Sequence, residues 1–408
     1  MNTHGVAQPE GIGAEEFREG FGESLERVLD LGTWSLGADL GEIYRRVSEE
    51  VRDAVRQEDE VCARIRAEIF PKLATQVSAP KGAGVYRAAV GDIERVHRGL
   101  LFNGGVEACD STIQSCDTLP LTIFQIGVCL VSYLGNQGTW AQRLFRRDLR
   151  ATDLDPTEAL YELLERRNVR SGLNRPGRDQ LSRLARRGLM AYAERAILLS
   201  ESGATWRLGR GSPAPFELLT GSGSAELMIE STRMIRRLVE EHRRFVFVAS
   251  EPSERMLLSI GQALRPLEYA IVRTLHDEID RMVEMVRFPP SAAVDTIWDG
   301  VRLSPAGWLA RFRDVVGPQV AVGVYRATSL APARVFYAHA DHAELAAHIA
   351  IADSLLQEQR GFPLLIDLAD TICQGVFGRE SLEAPVQAAY AEAGVPWRFM
   401  GERASSGR

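Results

Sequence analysis

Apolar residues recur at three- and four-residue steps through the first part of the chain. Leu40, Ile43, Tyr44, Val47, Val51 and Val55 fall on one side of a helical projection, with charges between them. The pattern predicts a long amphipathic helix or helical hairpin over residues 15–76. Its apolar face either packs on its own core or serves as a dimerisation or partner arm. A Pro/Gly break follows at 80–84. A short helix is expected over 88–101, closed by Asn103-Gly104-Gly105, residues that tolerate positive φ.

The pattern then becomes strand-like. Residues 106–110 form a short run ending in Asp110, and 122–133 are rich in β-branched and aromatic residues, so both read as adjacent strands of a central sheet. The basic stretch 143–150 reads as a third strand or an exposed edge. Helices are expected at 155–166 and 179–200, the second with a stripe of Leu181, Leu184, Gly188, Tyr192 and Leu199. Residues 215–219 read as a strand, 224–242 as a helix, 245–249 as a strand, 254–264 as a helix and 269–275 as a strand. Residues 278–315 are irregular to helical, 319–325 and 333–337 resemble a hairpin, and 343–358 and 380–394 are helical. There is no internal repeat and no strict βαβ rhythm. The expected class is α/β, a mixed central sheet flanked by helices. The expected organisation is a disordered N-terminus at 1–13, a helical arm at 14–80, a main domain at 81–400 with an insertion near 140–178, and a tail at 401–408.

Composition narrows the chemistry. The chain has 408 residues and a net charge of −7, which argues against gripping nucleic acid by bulk electrostatics alone. Positive charge must be concentrated locally or borrowed from a partner, or the chain does not bind nucleic acid. Lys72 and Lys81 are the only lysines, so there is no P-loop GxxxxGK[ST]. No apolar run reaches the roughly 20 residues of a membrane helix; the longest, 119–134, is broken by Pro120, Gln125 and Gly127. Residues 1–10 show no signal pattern, so a cytoplasmic protein is expected. Cys62, Cys109, Cys116, Cys129 and Cys373 form no CxxC pair and read as thiols in a reducing compartment. His339, His342 and His348 lie near one another without HExxH and read as surface or core residues. GxSxG is absent. Gly221-Ser222-Gly223-Ser224 before a helix is a weak anion-binding pattern.

The acids carry the remaining signal. Asp110 follows an apolar strand and precedes Ser111-Thr112, residues suited to a tight turn. A strand-end carboxylate there either faces a cleft, where Mg²⁺ or Mn²⁺ wants oxygen ligands, or caps a turn. Glu194 sits at the polar–apolar boundary of its helix, pointing to a site or pairing with Arg195 or Arg187. Glu217 lies between apolar residues of a predicted strand, either paired or metal-bound, or facing outward from an edge strand near Pro213 and Pro215. Asp367 and Asp370 share a helix face, or satisfy free amides at its N-terminus. Together these are carboxylates from separate elements, as metal-assisted phosphodiester hydrolysis requires. Two cations roughly 3.5–4 Å apart activate water and stabilise the leaving oxygen.

The order of these segments resembles the NurA nuclease family. Val106-Glu107-Ala108-Cys109-Asp110-Ser111-Thr112 is similar to that family's strand-end Asp-Gly-Ser signature, with Ser111 in place of glycine. Residues 188–194 resemble the helix carrying its metal-binding glutamate. Phe216-Glu217-Leu218-Leu219 stands where the family has a strand-borne aspartate. Phe247-Val248-Ala249-Ser250 followed by Glu254-Arg255 resembles its next strand–helix unit. Residues 347–359, Gly361-Phe362-Pro363-Leu364-Leu365 and Leu368-Ala369-Asp370 are similar to its helix, Gly-Tyr-Pro turn and Ala-His pair, with Asp370 at the histidine. The resemblance spans residues 105–400. It implies an RNase H-like fold and a two-metal site of Asp110, Glu194, Glu217 and Asp370 holding Mn²⁺ or Mg²⁺. It also implies a homodimer, nuclease action on DNA ends, and a HerA-like hexameric ATPase as partner, in repair or phage defence. The departures at Ser111 and Asp370 leave a second expectation: a catalytically inactive scaffold that docks on and regulates the ATPase.

Overall fold

The computed structural model describes residues 13–34, 40–76, 79–118, 121–146, 157–158, 161, 183–250, 254–283 and 296–397. The chain divides into two compact units, Met1–Val61 and Cys62–Arg408. In the first, α1 (Ala14–Phe21) and α2 (Leu25–Leu29) precede α3 (Leu40–Arg64), whose last residues enter the second unit. The predicted stripe is exposed on α3: Val47, Val51 and Val55 each keep more than half of their surface. Arg45 pairs with Glu42 and Glu49 along the same helix. A π turn at Ile65–Ile69 and a 3-10 turn at Phe70–Thr75 complete the predicted helical span.

The second unit is built on β1 (Gly84–Arg87), β2 (Val106–Asp117), β3 (Thr122–Ser132), β4 (Gly135–Arg146), β5 (Trp206–Arg210), β6 (Phe245–Val248) and β7 (Glu268–Thr274). A small separate pair, β8 (Ile297–Trp298) and β9 (Val301–Arg302), precedes β10 (Val320–Arg326) and β11 (Arg334–His339). Among the described residues one sheet has nine strands, in the order β1-β7-β10-β11-β6-β5-β2-β3-β4. β2, β3 and β4 form an antiparallel meander; β5 runs parallel to β2, and β6 parallel to β5. A meander feeding two parallel strands in the order β4-β3-β2-β5-β6 is the RNase H-like arrangement. The remaining pairings are antiparallel, so the sheet is mixed, as the pattern predicted.

Helices cover both faces, because the central strands bury residues of both parities. One face packs α5 (Leu189–Ser200), α7 (Ala225–Arg237), α8 (Arg255–Gln262), α9 (His276–Val283) and α10 (Pro305–Val316), through residues such as Leu198, Met228, Ile260 and Phe312. The short α6 (Phe216–Leu219) joins this layer through Leu218 and Leu219. The other face packs α4 (Val90–Val96), α11 (Ala343–Ser354) and α12 (Leu364–Phe377) on Val106, Ala108, Leu208, Val246 and Phe336. α13 (Arg379–Glu392) follows α12, and its Leu382 packs with Cys116 and Ile123.

Two local expectations are corrected. The turn expected at Ser111-Thr112 does not exist. β2 continues to Asp117 because β3 pairs it from Ala108 to Asp117, Ser111 opposite Val128 and Thr112 opposite Gly127. Asp110 therefore sits within a strand, not at its end. Residues 215–219 are helical, not a strand. Pro215 occupies the extended position before the first turn of α6, and Leu218 and Leu219 are buried beneath it. The parallel neighbour of β2 is β5, at Trp206–Arg210. Most of the helix expected at 155–166 and of the predicted insertion, and the termini at 1–12 and 398–408, lie outside the described residues; Thr157, Glu158 and Tyr161, which are described, are helical.

Candidate acidic active site

Strand alternation decides which side chains meet. Val106, Ala108 and Asp110 share one face of β2, as Trp206, Leu208 and Arg210 share one face of β5. The parallel register pairs Ala108 with Leu208 and Cys109 with Gly209, which sets Asp110 and Arg210 side by side one step further along. Arg210 Nη1 lies 3.3 Å from Asp110 Oδ2. The other carboxylate oxygen, Oδ1, accepts from the Ser111 amide at 2.8 Å.

α12 covers this face and carries Asp370, whose charge acts on both Asp110 and Arg210. α12 sits close because Gly127 of β3 has no side chain: a Cβ there would lie 2.3 Å from the Phe377 ring. The first turn of α12 is fixed by Asp353, a fully buried carboxylate on α11. It accepts from the Leu365 amide at 3.0 Å and from the Tyr133 hydroxyl.

Glu194 arrives from the opposite layer, on α5. Its Oε2 accepts from Ser111 Oγ at 2.8 Å, and its Oε1 lies 3.4 Å from Arg195 Nη1. Arg195 is itself buried. It donates to the carbonyls of Ala191, Arg210, Ser212 and Pro213 at 2.6–3.2 Å, and its guanidinium lies 5.5 Å over the Phe247 ring. Gly209 leaves room for that ring, since a Cβ there would lie 2.3 Å from it.

The electrostatics follow from burial. Burial first, then the neighbouring charge of Glu194, pushes the Asp110 carboxyl up to about 7, against the pull of Arg210 and the Ser111 amide; Asp370 adds to the rise. Burial also raises Glu194, outweighing Arg195, Ser111 and Arg210. For Arg210 burial opposes the charged form, but Asp110, Asp370 and Glu194 prevail and hold it protonated.

The structure thus brings Asp110 and Asp370 to one face of β2, with Glu194 reaching the same strand from the other. Glu217 is set apart on α6. Its carboxylate lies 3.9 Å from Arg187, and it is not among the charges acting most strongly on Asp110 or Glu194. Asp367 is held by Arg360 at 2.8 Å and Gln357 at 2.7 Å. His339 and His348 are core residues, and no disulfide joins any of the five cysteines. No described helix is long and apolar enough to cross a membrane.

Carboxylate oxygens from β2, α5 and α12 are the donors a hard divalent cation takes. Their grouping is looser than a finished site: among the described residues no three His, Cys, Asp or Glu side chains stand together to hold a metal ion. The donors fit such an ion in kind, and Arg210 stands against it. Arg210 was missed in the sequence, where Trp206-Arg207-Leu208-Gly209-Arg210 carries the alternation of a strand but is short and carries two arginines; Arg195 was expected only as a local partner of Glu194, a pair that forms.

No protein-family model matches the sequence, and no curated protein does. Solved structures do show likeness. The chain is similar to the NurA nuclease from Sulfolobus solfataricus, at 10% identity over 87% of this chain and 99% of that one, with a TM-score of 0.44. It is similar to a NurA structure with manganese at 9% identity over 74% of this chain and 96% of that one, with a TM-score of 0.37. It is also similar to an endonuclease V from Bacillus subtilis at 8% identity over 71% and 82%, with a TM-score of 0.27.

Proposed function

We propose that this chain is a DNA nuclease that hydrolyses phosphodiester bonds with Mn²⁺ or Mg²⁺. The observation that carries the reading is Asp110, a buried carboxylate whose charge is opposed by a second buried carboxylate, Glu194, and by Asp370. Such crowding is unfavourable in a purely structural role and useful where a cation is to be held. Asp110 and Asp370 would hold the ion on the α12 face, with Glu194 approaching across β2. When bound, the ion supplies Lewis acidity and a more acidic water. Ser111 orients Glu194 through its hydroxyl, and Arg195 fixes the backbone from Arg210 to Pro213. The half-exposed Arg210 has the fork geometry to take a phosphate. Glu217 lies outside this set.

In this reading the chain acts on DNA ends, as a homodimer beside a HerA-like hexameric ATPase, in repair or phage defence. The acidic net charge supports a partner that supplies part of the grip on DNA. The exposed stripe of α3 supports a partner surface on the first unit. The test is labelled linear DNA incubated with Mn²⁺ and either the native protein or Asp110→Ala. Cleavage by the native protein that is lost in a folded Asp110→Ala supports the reading; cleavage surviving the substitution overturns it.

One observation favours a second reading. Arg210 pairs with Asp110 where a cation would be held, as expected of a catalytically inactive scaffold that docks on and regulates the ATPase. Intact DNA under every divalent cation, with co-purification of a hexameric ATPase, supports that reading.

A further inference from the structure

We propose that Arg210 is a built-in counter-ion that keeps divalent cations weakly bound until a phosphodiester draws its guanidinium away. This deepens the nuclease reading and rests on it. The geometry has three parts. The Arg210 backbone is pinned: its carbonyl accepts from Arg195 Nη2 at 3.1 Å, and the next residue, Gly211, donates its amide to Val248 O at 2.8 Å. Its side chain is the solvent-accessible half of the pair: it is 36% exposed while its partner Asp110 is 4% exposed. The contact between them is a single long one, from one guanidinium nitrogen at 3.3 Å, and leaves the fork's bidentate capacity unused.

These parts have opposite consequences for the two ligands. Asp110 is held buried within β2, so without a cation it needs Arg210 for compensation. A divalent ion brought to Asp110 meets the positive charge of Arg210 within a few ångströms and is repelled. A phosphodiester reaching the exposed side of Arg210 offers the guanidinium a bidentate partner, and the departing charge leaves Asp110 and Asp370 open to the ion. Cation and nucleic acid then bind with positive coupling, each raising the affinity of the other by the same factor.

The experiment is Mn²⁺ binding by electron paramagnetic resonance and calorimetry, with and without a non-cleavable phosphorothioate oligonucleotide. It uses full-length native protein, Arg210→Gln and Arg210→Lys. The native protein is expected to bind Mn²⁺ weakly and to gain about tenfold or more with the oligonucleotide, the least that a unit charge within about 5 Å imposes in a protein pocket. Arg210→Gln is expected to bind Mn²⁺ about tenfold tighter without oligonucleotide and to lose the coupling. Arg210→Lys, which keeps the charge, is expected to stay weak. Equal Mn²⁺ affinity in native protein and Arg210→Gln overturns the counter-ion role while leaving the nuclease reading standing. No binding by any of the three at millimolar Mn²⁺ overturns both.

Discussion

Gly127 of β3 and Phe377 of α12 occupy what is nearly one space: a Cβ on the glycine would fall 2.3 Å from ring carbons and 2.5 Å from the phenylalanine Cβ. The contact lets α12 lie on the sheet, two turns of helix from Asp370. Because the clash reaches the phenylalanine Cβ, rotating the ring does not relieve it. Gly127→Val should lift the C-terminal end of α12 and destabilise the second unit by about 2–3 kcal/mol, as overpacking does. Chemical denaturation checks this, and an unchanged midpoint would show that the helix is not seated by this contact.

At its other end α12 is tied down by Asp353. Its buried carboxyl is pushed up to about 6, by burial first, against the hydrogen bonds from Tyr133 and the Leu365 amide. Asp353→Ala removes the acceptor and leaves an amide and a hydroxyl without it. The expected loss is about 2–4 kcal/mol. Tyr133→Phe should cost less, about 1 kcal/mol, because the Leu365 bond remains. Thermal unfolding of the two variants ranks them, and the reverse order would contradict the anchoring role.

The pH dependence of Asp110 has a definite sign. Its folded value of about 7 lies above the ordinary 3.8, so between those values the folded state binds more protons than the unfolded chain. Stability therefore falls as pH rises through this window. Asp110→Asn keeps the shape and removes the titration. Without divalent cations, it should be more stable than the native protein above about pH 7, by on the order of 2–3 kcal/mol, with the difference fading toward about pH 4. Melting curves across pH in a chelator check this; parallel curves would mean that Asp110 is fully compensated.

Arg195 holds the segment from which Arg210 projects. Its donors reach the carbonyls of Ala191, Arg210, Ser212 and Pro213 and its charge faces Glu194. Arg195→Met should cost about 3–5 kcal/mol, because it leaves a buried glutamate and several carbonyls unpaired. Lowering pH should restore part of this, since protonating Glu194 removes the uncompensated charge. Denaturation at two pH values measures it. A loss independent of pH would place the cost in the carbonyls alone.

Much of the scaffold was legible in residue order. The strands at Phe245–Val248 and Glu268–Thr274 and the hairpin of Val320–Arg326 with Arg334–His339 announce themselves by apolar runs and turn residues. So do the helices at Ala225–Arg237 and Ala343–Ser354, because short-range periodicity is set by the backbone's own geometry. The mixed α/β class came from the same source, and so did the candidate acids Asp110, Glu194, Glu217, Asp367 and Asp370, among which the family resemblance singled out Asp370 over Asp367.

What the sequence could not decide was where strands end and which side chains share a pocket. Nothing local distinguishes Ser111-Thr112 as a turn from Ser111-Thr112 within a strand; the length of β3 settles it by supplying hydrogen-bond partners as far as Asp117. Nothing local marks Glu217 as helical, or Arg210, a hundred residues beyond Asp110, as its neighbour. That meeting depends on a parallel register between β2 and β5, and the approach of Asp370 to it depends on Gly127 admitting α12 above them. Side-chain charge is written in the sequence, but the burial and proximity that give it chemical meaning arise only when distant strands are paired.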